Sequence, residues 1–286
     1  MPWFEEAYSP HWRQSIEVEH IVHEERTDVQ TVLIFESAMF GRVLALDGLI
    51  QTTERDEFFY HEAITHVPLV AHGSPSDVLI VGGGDGGALE EVLKHRSVRR
   101  ATLVDLDQRV VELSRQHLPE ICGGAFDDPR TRLLFTDGLA FVAKTGDSFD
   151  VIIVDSTDPF GPGESLFEEQ FYANCRARLR PGGVLVHQGG NPFAEWPRFV
   201  NSRRRLAKVF RDASFYWGTV PSYYGGLFAF GWGTDDPASR QLSAADLAAR
   251  SIPAGLRWYS PAIHVASFAR PPWLEALDAP SPGQPG

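Results

Sequence analysis

The sequence of 286 residues predicts an α/β protein, in which a small N-terminal antiparallel β-domain precedes a doubly wound, mostly parallel sheet. Two observations lead to this prediction. Apolar and polar residues alternate through much of residues 1–52, as they do in half-buried strands. From Asp77 onward, short apolar runs alternate with helical sequence, as they do in right-handed βαβ units. We therefore predict one domain over residues 1–55 and a second, larger domain over residues 56–286.

The N-terminal domain is predicted from three alternating segments, which cover residues 14–19, 31–36 and 42–46. Asp47-Gly48 stands between two apolar runs, and this dipeptide favours a tight hairpin turn. Residues 56–71 carry a broad apolar face, so we expect a helix that joins the small sheet to the second domain. Together these segments predict a single small antiparallel sheet followed by a connecting helix.

The second domain is predicted as a regular alternation of strands and helices. Strands are expected over residues 77–82, 101–105, 132–136, 151–155 and 184–188. Helices are expected over residues 88–95, 108–118, 139–144, 168–179 and 198–210, and a late strand pair over 215–221 and 227–232. Pro181-Gly182-Gly183 is expected to end the fourth helix before the next strand starts. Parallel strands joined by helices form a doubly wound sheet.

A glycine-rich turn stands between the first of these strands and its helix. Gly82, Gly84 and Gly87 satisfy the pattern G-x-G-x-x-G, and Asp105 ends the next strand about 20 residues later, a Rossmann-like arrangement that binds nucleosides. The plainer interpretation is a turn that lets the helix pack tightly on the strand. Asp85 inside the turn would repel a pyrophosphate, so the loop favours a positively charged nucleoside.

Acidic side chains follow each of the first four strands of the second domain. They are Asp85, Asp105, Asp137, Asp155 and Asp158. The carboxyl ends of parallel strands meet at one edge of the sheet, where unpaired carboxylates repel one another until a cation or hydroxyl groups compensate them. Asp105 is placed for ribose hydroxyls, Asp137 and Gly138 for the base, and the other three acids for a reacting cation. Helix capping is the alternative role for Asp137 and Asp158.

The formal net charge of −12 disfavours a nucleic-acid partner, because such binding depends on lysine and arginine. It fits a cationic small substrate, although solubility alone also accounts for it. Cys122 and Cys175 are too few for a disulfide framework, and no metal-ligand spacing occurs, so no metal site is predicted. We see no signal peptide and no run of membrane-spanning length. The expectation is a cytoplasmic protein that works neither on nucleic acid nor at a membrane.

Several segments closely resemble the spermidine synthase family of polyamine aminopropyltransferases. The segments are 46–57, 82–87, 155–159, 161–166, 221–226 and 261–264, and the resemblance spans roughly residues 3–277. It implies an N-terminal β-domain followed by a Rossmann-like catalytic domain, assembled as a homodimer or a larger homo-oligomer such as a tetramer. It also implies transfer of an aminopropyl group from decarboxylated S-adenosylmethionine, a co-substrate rather than a cofactor, to putrescine or a related diamine. The products would be spermidine and 5′-methylthioadenosine.

The resemblance also implies roles for individual residues. Contacts to the nucleoside co-substrate are implied for Gln30, Asp85, Asp105, Asp137, Gly138 and Pro162. Polyamine contacts are implied for His61, Asp85, Asp155 and Asp158, and walls of the amine channel for Trp3, Tyr60 and Tyr223. Two features depart from the family pattern. The ribose acid is more often glutamate than the aspartate found here, and residues 188–191 differ from the expected segment, a difference expected to bear on acceptor choice.

The chemistry requires a base, because an alkylamine resembles lysine, with a pKa around 10.4, and must lose a proton before it attacks. The resemblance assigns that role to Asp155. Typical methyltransferases carry an acid two residues before the first glycine of the loop, where this chain has Ile80. The nearest alternative is a putrescine N-methyltransferase that uses S-adenosylmethionine. An NAD-dependent oxidoreductase, which Asp85 disfavours, and a non-catalytic polyamine-binding protein are further alternatives.

Overall fold

A computed structural model describes residues 2–156 and 165–275. Its N-terminal part forms two antiparallel sheets. The first pairs β1 (Trp3–Ser9) with β2 (Trp12–Glu17). The second has the order β3 (His20–Arg26), β4 (Thr31–Ser37), β5 (Gly41–Leu46) and β6 (Leu49–Thr53).

The prediction of one small sheet is therefore wrong, and β1 and β3 were not predicted. The chain changes sheets at two adjacent residues. The Val18 N–H donates to the Pro2 carbonyl of the first sheet, and the Glu19 N–H donates to the Glu36 carbonyl beside the second. The predicted Asp47-Gly48 hairpin is confirmed: both residues have positive φ, 47° and 81°, as a two-residue turn of this type requires.

The second part is a seven-stranded sheet. Its strands are β7 (Asp77–Gly82), β8 (Arg100–Asp105), β9 (Thr131–Phe135), β10 (Phe149–Asp155), β11 (Leu179–Gln188), β12 (Asp212–Thr219) and β13 (Leu227–Thr234). The order is β12-β13-β11-β10-β7-β8-β9, and β7 to β11 are parallel. At one edge β13 pairs antiparallel with β11, and β12 pairs antiparallel with β13. This confirms the predicted fold class, a doubly wound, mostly parallel sheet with a small antiparallel β-domain.

Helices cover both faces of this sheet. They are α1 (Glu57–His72), α2 (Gly87–Leu93), α3 (Gln108–His117), α4 (Pro119–Cys122), α5 (Gly138–Lys144), α6 (Glu169–Arg178), α7 (Trp196–Val209), α8 (Ala244–Ala248), α9 (Pro261–Ser267) and α10 (Pro272–Glu275). In the described residues, none of these helices has the length and apolar character needed to cross a membrane.

Two features of this architecture determine where a ligand can bind. The chain runs from β7 outward to β9 and then returns to β10 on the other side of β7, so the topological switch point lies between β7 and β10. Open α/β sheets bind ligands in the crevice at the carboxyl ends of such strands. The predicted connecting helix is α1, which packs against β10, β11 and α2. It is buried almost all round and brings charged side chains, among them Glu57 and His61, into the interior.

Candidate active site

A cavity of about 360 Å³ lies at the carboxyl ends of β7, β8 and β10, where the switch point predicts it. Eight of the residues predicted to contact a substrate line this cavity. They are Gln30, Tyr60, Asp85, Asp105, Asp137, Gly138, Asp155 and Tyr223. Within the described parts of the chain, none of these four acids is paired with an arginine or lysine. His61, beside Asp85, is the basic side chain paired with this cluster in the described residues, and the remaining charge is left for a bound cation to compensate.

The glycines of the loop make room for protein groups around this cavity. A Cβ on Gly82 would lie 2.2 Å from the Asp155 carbonyl oxygen, and one on Gly84 would lie 2.9 Å from Asp105 Oδ2. A Cβ on Gly87 would lie 2.2 Å from the ring of His61. Real Cβ atoms do not approach other atoms this closely. Each glycine therefore allows one group, the Asp155 carbonyl, the Asp105 carboxylate or the His61 ring, to lie against the loop. For these three glycines the close approach thus involves Asp155, Asp105 and His61 on neighbouring elements, rather than the helix and strand of the tight-packing interpretation.

Asp155 ends β10 and faces the cavity with one oxygen uncommitted. The Tyr60 hydroxyl donates to Asp155 Oδ1 over 2.6 Å. Oδ2 is buried and has no hydrogen-bond partner among the described residues. Burial, followed by the charge of Asp85, raises the pKa of Asp155 to about 6, although the charge of His61 and the Tyr60 bond oppose the increase. Asp155 is therefore an ionised, poorly solvated carboxylate at neutral pH, with a free oxygen for a cationic donor.

Asp85 lies on the glycine loop with His61 directly behind it. His61 Nε2 is 3.5 Å from Asp85 Oδ1, and the Gly87 N–H donates to the same oxygen over 2.7 Å. Burial raises the pKa of Asp85, but the charge and hydrogen bond of His61 and the Gly87 bond outweigh it, so the pKa is below its usual value. His61 is buried and does not line the cavity itself. Asp85 thus remains ionised and faces the ligand space.

The opposite side of the cavity carries groups suited to a nucleoside. Asp105 ends β8, accepts from the Asp107 N–H over 2.8 Å, and has its pKa raised to about 6, mainly by burial. Asp107 also accepts from Gln30 Nε2 over 3.1 Å and from the Thr27 hydroxyl over 2.7 Å. These bonds fasten the β3–β4 connection to the sheet. Asp137 caps α5 through the Leu139 N–H at 2.8 Å, as the capping alternative predicted, and still lines the cavity.

Two family models match the chain. The spermine/spermidine synthase domain matches residues 57–243, and the spermidine synthase tetramerisation domain matches residues 2–54. The chain belongs to the spermine/spermidine synthase family. The resemblance that the motifs indicated is therefore confirmed.

Named relatives of this family are similar over almost the whole chain. The polyamine aminopropyltransferase of Klebsiella pneumoniae (strain 342) is 50% identical over 282 residues, which cover 98% of this chain and 99% of that protein. The polyamine aminopropyltransferase of Erwinia tasmaniensis is 51% identical over 274 residues, which cover 95% of this chain and 96% of that protein.

Solved structures of the family are also similar. A spermidine synthase in complex with the transition state analogue AdoDATO superposes with a TM-score of 0.92 at 37% identity, over 96% of this chain and 94% of that one. The spermidine synthase from Thermotoga maritima gives a TM-score of 0.89 at 35% identity, over 96% and 93% of the two chains. These relatives give no support to the N-methyltransferase alternative.

A second, smaller cavity extends from the first and contains an acid that the sequence analysis missed. It shares Gln51, Tyr60, Ser156 and Tyr223 with the main cavity, and Glu6, Gln188, Asn191 and Tyr224 also line it. Glu6 is buried; Oε1 accepts from the Ile50 N–H over 2.8 Å, and Oε2 accepts from Gln14. Burial raises the pKa of Glu6 although both hydrogen bonds lower it. The only signal in the sequence was an acid within a segment that contains aromatic residues. Such a signal does not identify a functional site.

Three candidate residues, Trp3, Asp158 and Pro162, have not yet been described. Trp3 is on β1 with 61% of its surface exposed, and it is not among the residues that line either cavity. Asp158 and Pro162 lie outside the described residues. Tyr223 donates to the Gln51 carbonyl over 2.5 Å and packs against Tyr60, with ring centroids 5.8 Å apart. Among the described residues, no group of three or more His, Cys, Asp and Glu side chains is placed to hold a metal ion.

Proposed function

We propose that this chain is a polyamine aminopropyltransferase of the spermidine synthase type. It transfers the aminopropyl group of decarboxylated S-adenosylmethionine to putrescine or a related diamine, and it releases spermidine and 5′-methylthioadenosine. The observation that supports this most directly is the pair of largely buried carboxylates, Asp85 and Asp155, in the main cavity, where Tyr60, the partner of Asp155, also lines the second cavity. One carboxylate suits the amine of the donor and the other suits the amine of the acceptor.

The nucleoside of the donor is assigned to the side of the cavity nearest β8. Asp105 accepts hydrogen bonds from the ribose hydroxyls, with Gln30 beside it, and Asp137 and Gly138 contact the base. Pro162, which the resemblance adds to the base pocket, lies outside the described residues. Apolar side chains complete this wall, which supports a flat base rather than a second charged group.

The reaction is a direct displacement. The neutral nitrogen of the acceptor attacks the methylene carbon beside the sulfonium; the C–N bond forms as the C–S bond breaks, and the electron pair returns to sulfur as a neutral thioether. That nitrogen is neutral because the acceptor ammonium has first given up a proton to Asp155, and the new secondary amine forms as an ammonium. A pKa near 6 makes Asp155 a better base than an ordinary carboxylate. Burial and the nearby sulfonium favour the neutral form of the acceptor amine, whereas the carboxylates around it favour the ammonium.

The charges of the substrates match the acids that face the cavities. Asp85 binds the ammonium of the aminopropyl group, and the Asp155–Tyr60 pair receives the attacking amine, with Asp158 as the family resemblance suggests. Glu6 lies in the second cavity and suits the far ammonium of a diamine, because a buried carboxylate is stabilised by a cationic partner. Holding both reactants in line supplies most of the rate enhancement in such a two-substrate displacement.

We further propose a homo-oligomer, a dimer or a tetramer, that works in the cytoplasm. The match of residues 2–54 to a tetramerisation domain supports the first proposal. The two free, buried cysteines are consistent with a reducing compartment. Light scattering during size-exclusion chromatography tests the assembly, and a monomer at micromolar concentration would contradict it.

The function is tested by incubating the protein with decarboxylated S-adenosylmethionine and a panel of amines, followed by mass spectrometry of both products. We expect equimolar 5′-methylthioadenosine and an aminopropylated amine, with putrescine among the accepted substrates. S-adenosylhomocysteine formed from S-adenosylmethionine would instead identify an N-methyltransferase. Binding of both substrates without any product would identify a binding protein.

A further inference from the structure

Four charged side chains form a row that runs from the surface to the main cavity. Arg257 Nη2 donates to Glu57 Oε1 over 2.6 Å, and Glu57 Oε2 lies 2.9 Å from His61 Nδ1. His61 Nε2 lies 3.5 Å from Asp85 Oδ1, and Asp85 lines the cavity. The first member of the row has a half-exposed side chain, whereas the other three are nearly buried. Positive and negative groups therefore alternate along a single path from solvent to ligand.

The protonation of His61 determines whether this row holds together. A neutral imidazole has one N–H donor and one acceptor nitrogen, whereas an imidazolium donates from both nitrogens. His61 has a carboxylate beside each nitrogen, Glu57 on one side and Asp85 on the other. Only the imidazolium can donate to both at once. A neutral ring would direct a lone pair at one of the two carboxylates, which would repel it.

The acids that face His61 favour its charged form. They are Glu57 on its own helix, Asp85 on the glycine loop and Asp155 at the end of β10. The ring of Tyr60, whose hydroxyl is neutral, packs 5.4 Å from the imidazole, and Arg257 lies on the far side of Glu57. Burial lowers the pKa of His61, but the charge and hydrogen bond of Asp85 and those of Glu57 outweigh it. The pKa of His61 is therefore well above its usual value.

We propose that Glu57 is a positioning residue for the reaction, which holds His61 as an imidazolium and thereby keeps Asp85 ionised and directed at the ammonium of the donor. Glu57 touches neither cavity, so it acts only through His61. Gly87 belongs to the same arrangement, because any side chain there would displace the His61 ring. The ligand named in this proposal rests on the proposed function; the charge state of His61 does not.

Loss of the Glu57 charge changes the acids at the cavity. With Glu57→Gln, a neutral His61 can still accept from the new amide and donate to Asp85, so the row keeps its shape and loses charge. Asp85 then lacks a cationic neighbour, and three largely buried acids, Asp85, Asp105 and Asp155, face one space. The cluster binds a proton at higher pH, in competition with the ammonium of the donor.

The charge state is tested by NMR on substrate-free protein with labelled histidine, and the His61 signals are assigned by their loss in His61→Gln. We expect wild-type His61 to remain an imidazolium well above its ordinary pKa, and the Glu57→Gln variant to lose its proton at a lower pH than the wild type. Glu57→Asp, which keeps the charge, should restore most of the wild-type behaviour. A wild-type His61 that titrates near its ordinary pKa of about 6.5 would overturn the proposal without any variant.

Kinetics test the consequence for the donor. In the pH profile of kcat/KM for decarboxylated S-adenosylmethionine, we expect the acid limb of Glu57→Gln to move to higher pH. On that limb, kcat/KM should fall about tenfold for each pH unit of the movement. Near pH 9 it should approach the wild-type value, and KM for the diamine should change little. Glu91→Gln is the matched control, since Glu91 lies 2.9 Å from the buried His66 and lines neither cavity.

A uniform loss at all pH values, or an equal effect of Glu91→Gln, would show that Glu57 is only structural. A wild-type protein that transfers no aminopropyl group would refute the proposed function instead. The NMR titration would then decide the charge state of His61 by itself.

Discussion

The hydrogen bond from Tyr60 to Asp155 offers the most direct test of the proposed base. Tyr60→Phe removes the hydroxyl that donates over 2.6 Å to Asp155 Oδ1 and keeps the ring that packs against Tyr223 and Phe228. Burial raises the pKa of Tyr60 well above its usual value, so the wild-type hydroxyl keeps its proton and donates at neutral pH. The carboxylate form of Asp155 is the one that gains from this bond. Its loss therefore raises the pKa of Asp155.

The size of the change follows from the strength of such a bond. A hydrogen bond to a charged group contributes about 1.5–3 kcal/mol, and one pKa unit corresponds to about 1.4 kcal/mol. Starting from about 6, the pKa of Asp155 should rise by roughly one to two units. The carboxylate is the active form and is lost as the pH falls through this pKa. At pH 7 its population should fall from about nine-tenths to between about a tenth and a half.

The assay is the pH dependence of kcat/KM for the acceptor, which reports ionisations of the free enzyme. We expect the acid limb of Tyr60→Phe to lie about one to two pH units above that of the wild type, with little difference near pH 9.5. Tyr216→Phe is the matched control, because its buried hydroxyl donates over 2.9 Å to the Ala63 carbonyl and lines neither cavity. An unmoved limb, or a loss independent of pH, would refute the link between Tyr60 and the ionisation of Asp155.

Three further substitutions test the other parts of the site. Asp155→Asn should lower turnover by about 10²–10⁴-fold and leave the melting temperature unchanged or higher, since a buried charge is removed; near-normal turnover would exclude the base assignment. Gly87→Ala should raise KM for the donor, because its Cβ would displace His61. Gly124→Ala is the control and should leave KM unchanged, because its Cβ would meet open space. Equal kinetics of the two variants would contradict this reasoning. Glu6→Gln should raise KM for putrescine about 10–100-fold and leave KM for butylamine, used as a one-charge probe, nearly unchanged, and parallel losses for both amines would argue against a distal ammonium site.

The large sheet could be predicted because its strands are short apolar runs buried on both faces. The strand predicted over residues 77–82 is observed with the same ends. One boundary was wrong for a physical reason: β11 begins at Leu179, before Pro181-Gly182-Gly183, whereas a helix was expected to reach this point. The pairing of β11 with β10 accommodates the extra residues by a change of register between Phe149 and Val151 of β10. Turn-forming residues therefore marked an irregularity within a strand rather than its start.

The acids at the strand ends could be predicted for the same reason, since the ends of parallel strands converge wherever the fold is doubly wound. Glu6 and Glu57 could not. Glu6 is significant because β1 places it at the second cavity, where Gln14 donates to its carboxylate. Gln14 also donates to the Ser222 carbonyl, 208 residues away in sequence. Glu57 receives its partner Arg257 from 200 residues later. Patterns within a short window of sequence carry no information about such contacts.

The electrostatics of the site explain why its acids need two cations. Asp105 and Asp155 each have a pKa of about 6 in the fold, against about 3.9 in an unfolded chain. Because these values are raised, each group costs the fold on the order of 3 kcal/mol well above pH 6, and this cost disappears below about pH 4. The imidazolium of His61 offsets Asp85 but leaves the other two acids without a cation of their own. Bound ammonium and sulfonium groups compensate this negative charge. Relief of the unfavourable free energy of the clustered acids therefore contributes to the binding of cationic substrates.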